Sequence, residues 1–226
     1  LVTGDDYAPF TGMKLPGGGM LTQLVMAALA EQHLQADLDW LPWKRGYLYA
    51  SQSRYDGTFP YVPSPERARE FLYSEPVYIL RQHFFSRSDE ALEPENLGAL
   101  TGKRLCYPLG WQPPAIIQAL LDQGLITRHS PPSLSACAKL LLLQRDDFFV
   151  ADHLLGQVAL RDSGKPLTAF HTSGSSLPHS SLHFIVARQH PQAAELIERF
   201  NAGLATLQAS GKYAQIIEQY SQAPAD

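Results

Sequence analysis

Eight histidines, two cysteines and two glycine-containing runs are the residues of this 226-residue chain from which catalysis or metal binding would first be built. His171 and His179 bracket a serine-rich stretch from Thr172 to Ser181, and His183 follows it. A helical zinc hydrolase site needs two imidazoles spaced as in HExxH. No pair here makes the full HExxH motif, since Ser180 rather than Glu follows His179, and no cysteine stands among these three histidines. They read as surface or loop histidines. Gly174-Ser175-Ser176 lacks the G-x-S-x-G pattern of a nucleophile elbow. Gly17-Gly18-Gly19 lacks the Lys-Ser/Thr of a phosphate loop and reads as a turn. Cys106 and Cys137 are too few for a disulfide scaffold and have no metal spacing. They read as two small buried side chains, although an oxidising compartment would permit one bond. The expectation is no catalytic residue, no metal and no cofactor.

Composition fits that expectation. Apolar residues make up 45% and charged residues 18%, which is globular rather than disordered. The net charge of -4 offers no clustered basic face for nucleic acid. The longest apolar runs, Leu24 to Ala30 and Leu140 to Leu143, fall far short of the roughly 20 residues that span a bilayer. Leu1 opens directly on a strand pattern, so the chain is read either as cytosolic or as having lost a leader.

Strand-like apolar runs and helical patterns alternate, which predicts an α/β fold with largely parallel sheets. Met20, Leu21, Leu24, Val25, Ala28 and Leu29 recur at helical spacing. A short strand is predicted from Ala36 to Leu41, a helix from Lys44 to Gln52 and a strand from Tyr55 to Phe59. Ser64-Pro65-Glu66-Arg67 opens a helix, with Ser as N-cap, Pro at the first position and an acid near the positive dipole end. Gln82 to Arg87 and Ser181 to Arg188 read as extended connectors. Between them a second series runs: strand 102–107, helix from Pro113, strand 125–129, helix 133–144 and strand 147–151. Two helices close the chain, around Leu196 to Leu207 and Tyr213 to Tyr220. Two lobes with a cleft are expected, the second inserted into the first.

Several segments resemble, in order, the periplasmic amino-acid-binding proteins of ABC importers, solute-binding family 3. Asp6-Tyr7-Ala8-Pro9-Phe10 looks like that family's opening "DYPPF" element. Trp43, Tyr55-Asp56, Ser64-Pro65-Glu66-Arg67-Ala68 and Tyr73-Ser74-Glu75-Pro76-Val77-Tyr78 match its aromatic, "YD", "TPERA" and "FSxPYY" elements. Leu100 to Leu105 is similar to the start of the second lobe, and Phe184 to Tyr220 to the returning strand and last helices. The resemblance covers nearly the whole chain. It implies a bilobal, hinged periplasmic-binding-protein fold, two α/β lobes joined by two extended crossovers: residues 1–83 plus 187–226 in one, 84–186 in the other.

The resemblance also implies residue roles. A buried zwitterion needs both its charges paired. Arg67 falls on the carboxylate-binding arginine, whose planar fork matches two oxygens; otherwise it would be a solvated helical Arg. Asp152 falls on the ammonium-binding acid, with a helix N-cap as its competing role. Tyr7 and Trp43 match rings that sandwich the ligand side chain; core packing is the alternative. Gly110, Trp111 and Gln112 stand at a helix start that binds the carboxylate from the second lobe. Pro60, Tyr61 and Val62 stand where Ser or Thr is usual, and Trp111 replaces a small hydroxyl residue. These departures point to a different ligand, a weaker carboxylate clamp or a modified amino acid. The implied function is capture of a small amino-acid-like ligand in the interlobe cleft, in the periplasm, by a monomer that serves an ABC permease of the inner membrane. Two alternatives share the fold: a receptor's sensing domain, or a dehydratase-like enzyme.

Overall fold

The computed structural model describes residues 1–5, 7–109, 111 and 113–222. The chain forms two compact units. The first holds Leu1–Ile79 and returns at Ser180; the second is Leu80–His179.

Along the chain the first unit supplies β1 (Val2–Thr3), α1 (Met20–Ala30), β2 (Asp39–Trp40), α2 (Trp43–Ser51), β3 (Thr58–Tyr61), α3 (Pro65–Glu70), β4 (Phe71–Tyr73) and β5 (Tyr78–Leu80). The second supplies β6 (Gln82–Arg87), β7 (Arg104–Cys106), α4 (Ala115–Asp122), β8 (Thr127–His129), α5 (Leu134–Leu142), β9 (Phe148–Asp152), α6 (His153–Asp162) and β10 (Phe170–Thr172). The first unit then completes itself with β11 (Ser180–Ala187), α7 (Ala193–Ala209) and α8 (Lys212–Gln222).

The first unit's sheet has the order β2-β1-β3-β11-β4, with β5 also on β11. β1 runs parallel to β2 and β3, while β11 is antiparallel to β3 and β4. All six apolar residues predicted for the face of α1 are buried. The strand predicted from Ala36 shrinks to Asp39–Trp40, because this edge segment pairs only with the two residues of β1. The strand predicted at Tyr55–Phe59 instead runs from Thr58 to Tyr61 and contains Pro60. A proline lacks the amide a ladder needs. Pro60 is accommodated where the β3–β11 register shifts between His183 and Ile185.

The second unit's sheet has the order β10-β6-β9-β7-β8, parallel only across β9-β7-β8. All five residues of β9 are buried. Phe85 of β6 stacks on Phe149 of β9 with centroids 4.8 Å apart. Helix α6 lies so close to that pair that a Cβ on Gly156 would overlap the Phe85 ring. Burying a Phe side chain is worth about 1.5–3 kcal/mol, and these rings fix how α6 leaves β9.

The two segments read from sequence as extended connectors are integral strands. β6 pairs with β9 and β10, and β11 pairs with β3, β4 and β5. The reading of the cysteines is also corrected: Cys106 and Cys137 form a disulfide that ties β7 to α5. Cross-linking residues 31 apart contributes on the order of 3–4 kcal/mol in the chain-entropy account. His183 is no surface histidine either, being 7% exposed within β11. Among the described residues no helix is long and apolar enough to cross a membrane.

Candidate functional site

In the first unit, Trp43 is the first residue of α2, and its indole lies directly on the backbone of Gly4, just after β1. Any side chain at position 4 would overlap that ring. Tyr7 meets Trp43 edge-on at 6.3 Å, and Trp43 meets Tyr61 edge-on at 6.0 Å. Tyr61 closes β3, and the Arg67 guanidinium stands over its ring with Cζ 5.2 Å from the centroid. Arg67 Nη1 also donates to the Val62 carbonyl at 2.7 Å. Below it, the Ser64 hydroxyl accepts from the Arg67 amide at 3.2 Å, so α3 begins where the sequence placed its cap.

The structure therefore brings Tyr7, Trp43, Tyr61, Val62 and Arg67 into one cluster, with Pro60 next to Tyr61 in the same strand. Burial pushes the Tyr61 phenol up from its ordinary range, and the Arg67 charge opposes that. The departure from a hydroxyl-bearing segment has a local explanation. Here the turn after β3 offers a ring face and a carbonyl, and both are used to hold the guanidinium.

Two members of this cluster escaped the sequence reading. Tyr47 sits 5.7 Å from Tyr61 and donates its hydroxyl to Glu70 Oε2 at 2.7 Å. Burial first, then that carboxylate, push the Tyr47 phenol up. The signal was available: Tyr47 follows Trp43 at i+4 in α2, and Glu70 follows Arg67 at i+3 in α3.

In the second unit, Asp152 ends β9 and is 2% exposed. Its Oδ1 accepts from the Leu154 amide at 3.0 Å, capping α6, and its Oδ2 accepts from the Arg81 amide at 3.0 Å. The N-cap role is thus present. Two histidines stand beside Asp152 that the sequence reading overlooked. His83 and His153 meet edge-on at 5.3 Å, and His83 Nδ1–H donates to the Ser173 carbonyl at 2.9 Å. Burial, then the neighbouring His83, hold His153 below its ordinary value, against the pull of Asp152.

Trp111 packs edge-on against Tyr107 at 6.1 Å. Its segment is tied down by Arg128 of β8, whose Nη2 donates to the carbonyls of Pro108 at 2.9 Å and Trp111 at 3.0 Å. Arg128 Nε donates to Ser130 Oγ at 2.8 Å, and the guanidinium stands 5.4 Å from the Tyr107 centroid. Burial raises the Tyr107 phenol to about 12. No spacing pattern marks Arg128, because its carbonyl partners lie on a different element. Gly110 and Gln112, the other two residues expected here, lie outside the described residues.

Chemically, the first unit presents an anchored planar cation among aromatic rings, which suits a carboxylate beside an apolar group. The second presents a buried acid, the charge type that pairs with an ammonium.

The model of the bacterial extracellular solute-binding proteins, family 3, matches residues 1–223. A search of curated proteins finds no match by sequence. Among solved structures, substrate-binding domain 2 of Lactococcus lactis GlnP in its open conformation is 22% identical, with 99% of this chain and 95% of that one covered and a TM-score of 0.75. The second substrate-binding domain of a putative amino acid ABC transporter from Streptococcus pneumoniae is 19% identical, with 97% and 98% covered and a TM-score of 0.75. A histidine kinase sensor domain with similarity to periplasmic binding proteins is 22% identical, with 97% and 94% covered and a TM-score of 0.70. At these identities the likenesses establish the fold: the bilobal α/β fold of periplasmic binding proteins.

Proposed function

Because the chain belongs to the bacterial extracellular solute-binding proteins of family 3, we propose that it captures a small amino acid or amino-acid derivative and releases it unchanged. Arg67 is the carboxylate anchor and Asp152 the acceptor for the amine. Tyr7, Trp43 and Tyr61 supply flat apolar area for the ligand side chain. The observation that carries this reading is the guanidinium of Arg67, fixed by the Tyr61 ring and the Val62 carbonyl beside three aromatic rings. A guanidinium held this way has already lost the rotamer freedom that a solvated arginine would surrender on binding.

The ligand departs from the commonest amino acids in bulk or substitution. Pro60, Tyr61 and Val62 replace small hydroxyl side chains, and Trp111 does the same in the second unit. Delivery to an ABC permease and a periplasmic location complete the proposal, supported by the family and by neighbours that are binding domains of amino acid transporters. The chain acts as a monomer.

The test is a thermal-shift screen over amino acids, their N- and side-chain-modified derivatives, polyamines and organic acids. A ligand that binds only the native state raises its melting temperature. Stabilisation by one or more compounds carrying both amine and carboxylate, recovered chemically intact after incubation, is the expected result. Stabilisation only by polyamines or by acids lacking an amine would overturn the assignment.

A further inference from the structure

The disulfide of the second unit stands beside two residues that the proposed ligand site does not use. Cys106 is the last residue of β7 and His129 the last of β8, and the parallel register sets them directly opposite each other. Asp146 lies in the turn entering β9. One donor atom from each of the three, Cys106 Sγ, an imidazole nitrogen of His129 and a carboxylate oxygen of Asp146, lies within 4.8 Å of the other two. His129 Nδ1 is 2.8 Å from Asp146 Oδ2.

The state of Asp146 points to a missing partner. Its side chain is fully buried, and its Oδ1 has no hydrogen-bond partner among the described residues. A buried carboxylate oxygen left unpaired is costly, and a bound cation is one group that would relieve it. His129, with a side chain 46% exposed, opens the cluster to solvent. Sulfur, imidazole nitrogen and carboxylate oxygen are the ligand set of Zn²⁺, and three protein donors leave its fourth position open. Charge also closes: one thiolate and one carboxylate neutralise a divalent ion, with the imidazole neutral.

We propose that the Cys106–Cys137 disulfide masks a zinc site made of Cys106, His129 and Asp146, which forms when that bond is reduced. In the disulfide, the Cys106 sulfur has no thiolate to offer, and the thiolate is the metal ligand. Reduction by a dithiol transfers two electrons and two protons to the S–S bond, giving two thiols while the reductant becomes a disulfide. Zn²⁺ then displaces the proton from Cys106, which passes to buffer. Cys106 and Cys137 are the only cysteines, so no other thiol competes.

Cys137→Ser isolates the claim, since it leaves Cys106 a free thiol without any reductant. Zn²⁺ would be titrated calorimetrically into the disulfide form, into wild type reduced with a dithiol and desalted anaerobically, and into Cys137→Ser, with circular dichroism recorded on each. About one equivalent is expected in the last two and none in the first, and adding Asp146→Asn to Cys137→Ser should weaken binding by at least about tenfold. Equal binding by the disulfide form, no binding by the folded thiol forms, or indifference to Asp146→Asn would overturn the proposal. If Cys137→Ser does not fold, the reduced wild type carries the test. A reduced wild type that also unfolds overturns the proposal, because the site exists only on the paired strands.

Discussion

The guanidinium of Arg67 lies over the ring of Tyr61, Cζ 5.2 Å from the centroid, while its Nη1 holds the Val62 carbonyl at 2.7 Å. The cation is therefore oriented before any ligand arrives. Arg67→Lys keeps the charge but loses the fork and the flat stacking surface. Hydrogen bonds to charged groups are worth about 1.5–3 kcal/mol, so affinity for a carboxylate ligand should fall by roughly 10- to 100-fold. The partly exposed position predicts little change in the melting temperature of the unliganded protein. Calorimetric titration of wild type and Arg67→Lys decides this, and matching affinities would remove Arg67 from the site.

Asp152 has two roles that two substitutions separate. Asparagine caps a helix as well as aspartate does, whereas alanine loses about 1 kcal/mol of cap and leaves the Arg81 amide without its acceptor. Asp152→Ala should thus be clearly less stable to denaturant than Asp152→Asn. Both lose the negative charge, so both should lose ligands that carry an amine. An Asp152→Asn protein that binds such ligands as tightly as wild type would reduce Asp152 to a structural cap.

Much of this arrangement was legible in the sequence because it is written locally. Ser64-Pro65-Glu66-Arg67 is a cap, a first-turn proline and an acid in consecutive positions, and α3 starts there. The α1 face is periodic, so its burial followed. What was not legible is held by contacts remote in sequence. Arg128 acts through carbonyls 17 to 21 residues earlier. β11 looked like a connector because an apolar run buried on both faces carries no alternation, yet it pairs with three strands. The cysteine pair depended on α5 lying beside β7, with Cα atoms 5.5 Å apart, which no spacing rule contains.

Arg128 is a positioning residue by this account. It joins the carbonyls of Pro108 and Trp111 to β8 and covers the Tyr107 ring. Arg128→Gln should release the Pro108–Trp111 segment. The expected effects are faster amide hydrogen exchange confined to that segment and a several-fold weaker ligand affinity, with exchange in the first unit unchanged. Uniform acceleration across the protein would mean a general loss of stability instead.

His183 makes the fold sensitive to acid. Its Nδ1–H donates to the Ser74 carbonyl at 2.7 Å, and its Nε2 accepts from the Ser181 hydroxyl at 2.7 Å, which fixes the neutral tautomer. Burial depresses its proton affinity, against the opposing effect of the Ser74 carbonyl. In the window between the depressed value and the ordinary one near 6.5, the unfolded chain holds a proton that the folded chain does not. Stability therefore rises with pH through that window, is fully present above it, and is lost as the pH falls toward the folded value. His183→Gln has no such group to protonate. Urea unfolding between pH 7.5 and 5 should show wild type losing more stability than His183→Gln. His153, depressed in the same direction, contributes equally to both proteins and cancels from the difference. Parallel curves would mean that His183 carries its proton in the folded state as readily as in the unfolded one.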